Sequence, residues 1–255
     1  MADNSKPVSI PEDRHWWFAG RTWAIQRMLH PIVRPDGRQR VLDVGCGAGN
    51  MMHHLAHFGP VVGADNNPRP LAVAQQRGYD VREAPAEALP FGDESFELVS
   101  LLDTAEHCAD DMAVLRECYR VCAPRGHLLV TVPAFMWLWS YNDELNAHKR
   151  RYTTRELRSK LRRVGFRIRR LSYNNLFIFP MAAALVLLRR VLNRKPSLAS
   201  PHLDDESYQV EMEPAPPVLN AILSAVTWTE SWLLRCVTLP AGTSIVCVAE
   251  KPGEP

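Results

Sequence analysis

No Cys-x-x-Cys pair occurs among the six cysteines (46, 108, 118, 122, 236 and 247), and their spacing fits no disulfide scaffold. The thiols are therefore expected to be reduced, as in a cytosolic protein. The opening MADNSKPVSIPEDR lacks the apolar core of a signal peptide. Long apolar runs are also missing. The longest, LFIFPMAAALVLL (176–188), has thirteen residues and is interrupted by Pro180, whereas a membrane span needs about 20. That run is too short to cross a bilayer but could lie on one. A net charge of +2 gives no overall pull toward polyanions. Apolar and charged residues occur in ordinary globular proportions, which excludes wholesale disorder.

What is present alternates between strand and helix patterns. A tryptophan-rich helical pattern covers EDRHWWFAGRTWAIQRML (12–29). RQRVLDVG, PVVGADNN, YDVREA, SFELVSLL and HLLVTVPA then read as five strands separated by helices, the last helix running through DDMAVLRECYRVCA. Strands that are nearly continuous in apolar residues predict a parallel sheet covered on both faces, a doubly wound α/β fold. TRELRSKLRRVG predicts a helix closed by Gly165, FRIRRLSY a sixth strand and TSIVCVAEK (243–251) a seventh. The organisation expected is an arm and helix at 1–34, a core at 35–173, a helical insertion at 174–240 and a closing strand at 241–255. The insertion holds the apolar run, an acidic proline-rich stretch and a second apolar helix, VLNAILSAVTWTESWLLRCV.

The strand-to-turn segment VLDVGCGAGN (41–50) suits a nucleotide cofactor, because glycines let the backbone turn tightly and a ligand approach it. A dinucleotide fingerprint would place its third glycine one position later, where Asn50 stands. Gly45, Gly47 and Gly49 instead favour a nucleoside with an amino-acid tail. Asp65 ends the second strand twenty residues after Gly45, where a carboxylate accepts bonds from ribose hydroxyls.

At these residues the sequence resembles the class I S-adenosylmethionine-dependent methyltransferases, type 11-like and of a bacterial biosynthetic subtype. VLDVGCGAGN is similar to their first motif, VVGADNN to their second, and APAEALPFGDESFELV to the adenine loop and fourth strand. LLDTAEH and LRECYRVCAPRGHLLVTVP continue the series, which covers about 38–173 and closes with TSIVCVAEK. The resemblance implies a seven-stranded Rossmann-like sheet and S-adenosyl-L-methionine as cofactor. It implies that Asp43, Gly45, Gly47 and Gly49 shape the methionine and ribose pocket, that Asp65 binds ribose and that Asn66 lies beside adenine. Ala86 and Glu87 would border adenine, with Leu102 and Asp103 at the end of the fourth strand. Pro85 stands where many relatives carry an acid, so adenine recognition falls to its neighbours.

For methyl transfer to a hydroxyl, a base near the acceptor helps, and the candidates are His107, His148 and Glu106. His148 follows the fifth strand and is the catalytic candidate; the alternative is that it simply pairs with Asp143 or Glu144. His107 is expected at the cofactor edge, with Arg151 and Tyr152 of HKRRYT among the substrate contacts. Trp16, Trp17 and Arg21 of HWWFAGR read either as a lid over the pocket or as a staple for the first helix. No metal site is expected: His53 and His57 share a helical face but have no carboxylate nearby in sequence.

From Lys149 to Arg170 eleven basic residues face one acid, Glu156, and Arg189, Arg190, Arg194 and Lys195 follow the apolar run. Such a strip reads as a solvated face, a phosphate-binding surface or a grip on anionic lipid. The apolar insertion favours lipid over nucleic acid, and LDTAEH lacks the Asn/Asp-Pro-Pro-aromatic pattern of base-amine methylation. The expected function is methylation, at oxygen, of a small or lipid-linked biosynthetic intermediate by a cytoplasmic protein with peripheral membrane contact. RNA or protein methylation through the basic strip, and an inactive cofactor-binding subunit, are the alternatives. The two apolar helices could equally pack on each other or form a homodimer.

Overall fold

The computed structural model describes residues 11–192 and 215–253. The arm before residue 11, Arg194, Lys195 and most of the acidic proline-rich stretch lie outside the described residues. Seven strands form one sheet in the order β3-β2-β1-β4-β5-β7-β6. They are β1 (Val41–Val44), β2 (Val61–Asp65), β3 (Asp80–Glu83), β4 (Phe96–Leu102), β5 (Cys122–Pro133), β6 (Arg167–Asn174) and β7 (Ser244–Glu250).

The central strands are buried on both faces, which is why VLDV and FELVSLL carry so few polar residues. β1 to β5 pair in parallel, as the alternation with helices predicts. The sheet departs from a wholly parallel one at β7, which runs antiparallel between β5 and β6. An apolar strand pattern reads the same in either direction, so composition could not reveal that reversal. The strand order switches direction at β1, placing a crevice at its carboxyl end beside β4.

The helices are α1 (Trp16–Leu29), α2 (Met52–Leu55), α3 (Pro68–Gln76), α4 (Asp111–Val121), α5 (Tyr141–Leu145), α6 (Thr154–Val164), α7 (Phe179–Val191) and α8 (Pro217–Cys236). The first helical pattern is broken at its start: Pro11–Arg14 form a separate 3-10 turn, and His15 caps α1 by accepting from the Trp17 N–H. α4 also ends earlier than its pattern, because Cys122 is already extended and opens β5. α6 follows its pattern. Thr153 accepts from the Glu156 N–H, Leu157 and Leu161 face the core, and Gly165 closes the helix at a φ of 119°.

The two insertion helices behave differently. α8 packs along α1 and buries Thr227, Glu230, Ser231 and Leu234. Gly20 permits this approach, since a Cβ there would lie 2.7 Å from that of Thr227. Among its described residues α7 buries none, and Met181, Leu185, Leu187, Leu188 and Val191 face outward. Its first turn meets the segment after β5, with the Phe179 ring 5.8 Å from Phe135 and 5.7 Å from Trp137. No described helix is long and apolar enough to cross a membrane.

Candidate active site

The glycine turn follows directly from β1. Gly45 and Gly47 have φ angles of 74° and 53°, a region costly for residues with a Cβ. A Cβ at Gly45 would sit 2.2 Å from Thr104 Oγ1, so that glycine lets the end of β4 close against the turn. At Gly47 the same atom would meet nothing within 4 Å. One glycine is thus needed for packing, while the other presents bare backbone to open space.

Asp65, at the end of β2, fixes this turn. Its carboxylate accepts from the Gly47 N–H at 2.9 Å and from the Asn67 N–H at 2.8 Å. Each oxygen retains a free lone pair, so the group can also receive two ribose hydroxyls. Asn66 beside it is exposed, while Gly49 packs on Tyr79. Asp43 lies beneath the turn, 2% exposed, and accepts from Ser100 Oγ at 2.7 Å. Burial pushes its carboxyl up to about 6 despite that bond. Ala86 and Glu87 occupy the turn after β3, half-buried, and Leu102 ends β4 nearly buried.

Asp103 bridges three elements. Its backbone takes a φ of 49°, its N–H donates to the Thr131 carbonyl at 3.0 Å, and Thr131 Oγ1 donates to its carboxylate at 3.0 Å. Arg21 of α1 donates to the other oxygen at 2.5 Å. Arg21 of HWWFAGR thus has an internal partner, although its buried Nε has none. Trp17 and Phe18 flank the guanidinium at 5.2 Å and 5.5 Å, and Trp16 is half-buried with its N–H on Asn220. The cluster therefore fastens α1 to α8 and, through Arg21, to the end of β4.

A second group lies between the ends of β4 and β5. Ser140 and Asp143 form a capping box on α5, and a φ of 52° at Ala147 turns the chain back so that His148 Nδ1 meets Asp143 Oδ1 at 2.9 Å. Arg151 grips the same carboxylate, its Nε at 2.7 Å and its Nη2 at 2.9 Å. Burial alone would raise the Asp143 carboxyl, but the His148 and Arg151 bonds hold it well below the usual range. His107 stands edge-on to His148, ring centroids 4.7 Å apart. Burial, and then His148, lower its affinity for a proton. Glu106 is buried with one carboxylate oxygen unpartnered; burial and then the nearby Asp103 raise its carboxyl well above the usual range.

Two expected substrate contacts need correction. Tyr152 is 1% exposed and donates to Asp111 at 2.8 Å, so it ties the segment before α6 to the start of α4 inside the core. Arg151 is committed to Asp143 and to the Ala134 carbonyl, and thus orients the His148 pair. The sequence also offered no carboxylate for the α2 histidines. Asp13 supplies one from forty residues away, meeting His53 at 2.8 Å and His54 at 3.0 Å, and His57 takes no part. Two clusters of described residues, Asp13–His53–His54 and Glu106–His107–His148, hold donor sets that suit a cation. Glu106, read with His107 and His148 as a candidate base, stands with them here, but nothing local in the sequence marks its burial or its unpartnered oxygen.

Residues 42–130 match a family model described as a methyltransferase domain. A ubiquinone biosynthesis O-methyltransferase of Pseudomonas entomophila is 41% identical over 101 residues, covering 35% of this chain and 42% of that protein. A protein of the same name from Parvibaculum lavamentivorans is 33% identical over 123 residues, 46% of each chain. The chain thus spans less than half the length of these curated relatives. An S-adenosylmethionine-dependent methyltransferase structure from Mesorhizobium loti superposes with a TM-score of 0.55 at 18% identity, covering 89% of this chain and 95% of that one. The [4+2]-cyclase SpnF superposes at 0.58 with 19% identity, covering 98% and 86%. Such identities speak for the fold, and a cyclase among the neighbours shows that the fold does not dictate the reaction. Open backbone at Gly47, free acceptors on Asp65 and the unpartnered Arg21 Nε suit a nucleoside with an amino-acid tail. They accord with the methyltransferase domain matched over residues 42–130, for which S-adenosyl-L-methionine is the expected cofactor.

Proposed function

We propose that the chain methylates an oxygen of a small or lipid-linked biosynthetic intermediate. The observation that carries this reading is the Asp143–His148 pair at 2.9 Å, set beside the Asp103 end of β4. When bound, S-adenosylmethionine supplies a methyl group activated by its sulfonium. Asp65 would hold the ribose, and the glycine turn with Asp43 beneath it would support the ribose and methionine portions. Asn66, Ala86, Glu87 and Leu102 would border adenine and the pocket wall. Trp16 and Trp17 would exclude water from the acceptor side. His148, oriented by Asp143 and Arg151, would take the acceptor hydroxyl's proton, so that an oxyanion meets the methyl group. The name of the partial relatives, O-methyltransferase, supports oxygen as the acceptor atom.

The lipid-linked part of the reading rests on α7. Its exposed apolar residues stand beside Met136 and Trp137, also exposed, and Arg189 and Arg190 follow in its last turn. A cytoplasmic protein resting this surface on an anionic membrane would receive a lipid-linked acceptor near His148. The basic strip supports a nucleic-acid or protein substrate less well than its charge suggests. Arg150 and Lys160 pair with Asp111, Arg151 with Asp143 and Arg169 with Glu250. Arg155, Arg158, Arg162 and Arg163 do line one open depression on α6, which keeps RNA as a second reading.

The test supplies S-adenosylmethionine with a labelled methyl group together with lipid, RNA and protein fractions of a bacterial extract. Label recovered as a methyl ether in the organic phase supports the proposal. Label confined to RNA or protein overturns it.

A further inference from the structure

Glu106, His107 and His148 present one donor atom each, all within 4.8 Å of one another. They come from two segments far apart in sequence: Glu106 and His107 follow β4, and His148 follows α5. The segments are tied by the Lys149 N–H donating to the Glu106 carbonyl at 2.8 Å. A carboxylate and two imidazoles have thus been brought to one point.

The outer partners sharpen the picture. His148 has Nδ1 on Asp143, leaving Nε2 for the cluster. His107 lies edge-on to it, ring centroids 4.7 Å apart. A carboxylate is a common orienting partner of a metal-ligating histidine, and Asp143 fixes the His148 ring so that a lone pair faces away from it. Asp143 is itself locked by Arg151 and by the Ser140 N–H, so its hold on His148 is rigid. Glu106 contributes an independent sign: it is 1% exposed, and its buried Oε2 has no hydrogen-bond partner. A buried, unpartnered carboxylate oxygen is costly unless something positive completes it. Arg21 Nη1 is on Asp103, and Arg151 Nε and Nη2 are on Asp143.

We propose that Glu106, His107 and His148 bind a divalent first-row metal ion, which receives the acceptor hydroxyl in an open coordination position. Two imidazoles and one carboxylate are a donor set suited to zinc, cobalt, manganese or ferrous iron, with positions left for exogenous ligands. His107 is partly exposed, so the ion would face solvent on that side, as substrate entry requires. The chemical role, though not the binding, rests on the oxygen-methylation reading. The ion would make the bound hydroxyl more acidic, so that it gives up its proton more readily. The proton would pass to water, the oxygen lone pair would form the new C–O bond, and the C–S bonding pair would remain on sulfur as a neutral thioether. His148 would then serve as a ligand in place of acting as the base.

Co2+ chloride titrated into chelator-treated full-length protein provides the test, read by its visible ligand-field absorption. One equivalent should bind, with nitrogen-ligated spectra that Zn2+ abolishes. Glu106→Gln and His107→Ala should each weaken binding at least tenfold. Asp143→Asn should weaken it roughly 10- to 100-fold, as loss of an outer partner does. His53→Ala, in the cluster on α2, should leave it unchanged. His107 is exposed, so its alanine variant should keep the circular dichroism of the parent even if Glu106→Gln fails to fold. No binding, equal binding by His107→Ala and the parent, or loss in His53→Ala instead would overturn the site. Methyl transfer that persists at full rate after chelation would overturn the ion's chemical role while leaving oxygen methylation standing.

Discussion

Arg21 Nη1 donates to Asp103 Oδ2 at 2.5 Å, joining the first helix to the end of β4 across 82 residues of sequence. Both side chains are shielded, 14% and 23% exposed, so the pair has lost much of its hydration. Removing one member leaves the other charge uncompensated. Arg21→Met should therefore lower stability by about 2–4 kcal/mol, measured by urea unfolding, and weaken S-adenosylmethionine affinity in calorimetry. Unchanged values of both would mean that the pair is a bystander.

Asp65 holds the glycine turn through Gly47 and retains lone pairs for a ribose. Asp65→Ala should weaken S-adenosylmethionine by at least about tenfold, one charge-assisted hydrogen bond or more. Isothermal titration against the parent protein checks this, and an equal Kd removes Asp65 from the cofactor site.

His148→Ala and Asp143→Asn act on turnover. Each should reduce kcat by roughly 10²- to 10⁴-fold while changing cofactor affinity little. The double variant should be scarcely worse than the worse single one, because the residues act as one unit. Additive losses in single-turnover assays would show that they act separately.

Asp43 makes stability depend on pH in an unusual sense. Its carboxyl is raised in the fold to about 6 from an ordinary 3.8, so the folded protein holds the proton more tightly. Stability from this group is complete below about pH 4 and falls as pH rises towards 6. Asp43→Asn should remove that slope and make the protein more stable at pH 7, by on the order of 2–3 kcal/mol. Denaturant midpoints between pH 4 and pH 7 provide the check; an identical slope in the variant would contradict the burial effect.

The apolar surface of α7 gives a fifth expectation. Anionic phosphatidylglycerol vesicles should sediment the protein, and Leu187→Glu with Leu188→Glu should abolish this without affecting cofactor affinity. Vesicle binding that survives both changes would place the contact elsewhere. A shift from dimer to monomer, with no vesicle binding by the parent, would favour a second copy as the covering surface.

Much of the fold was legible because its signals are local. Gly45 and Gly47 need positive φ angles at a turn, Thr153 and Gly165 bracket α6, and β1 and β4 have almost no polar residues. The His148–Asp143 pair was also within reach, since five residues around one turn can close on themselves. Contacts between distant segments were not. Nothing near Arg21 names Asp103, nothing near His53 names Asp13, and nothing around Glu106 announces that the fold buries it. Tyr152 shows the opposite error, for a polar aromatic beside basic residues looked like a binding group but anchors the core.

The reversed strand β7 also has a temporal meaning. β6 pairs only with β7, and β7 separates it from β5. Residues 167–174 therefore leave the ribosome well before the strand that will hold them to the sheet. The half of the sheet beside β1 can assemble while synthesis continues, but the other half must wait for residues 244–250. Until then β5 has an unpaired edge, open to wrong partners. The step most exposed to misfolding is thus the last insertion, in which one strand slides between two others and completes the sheet on both sides at once.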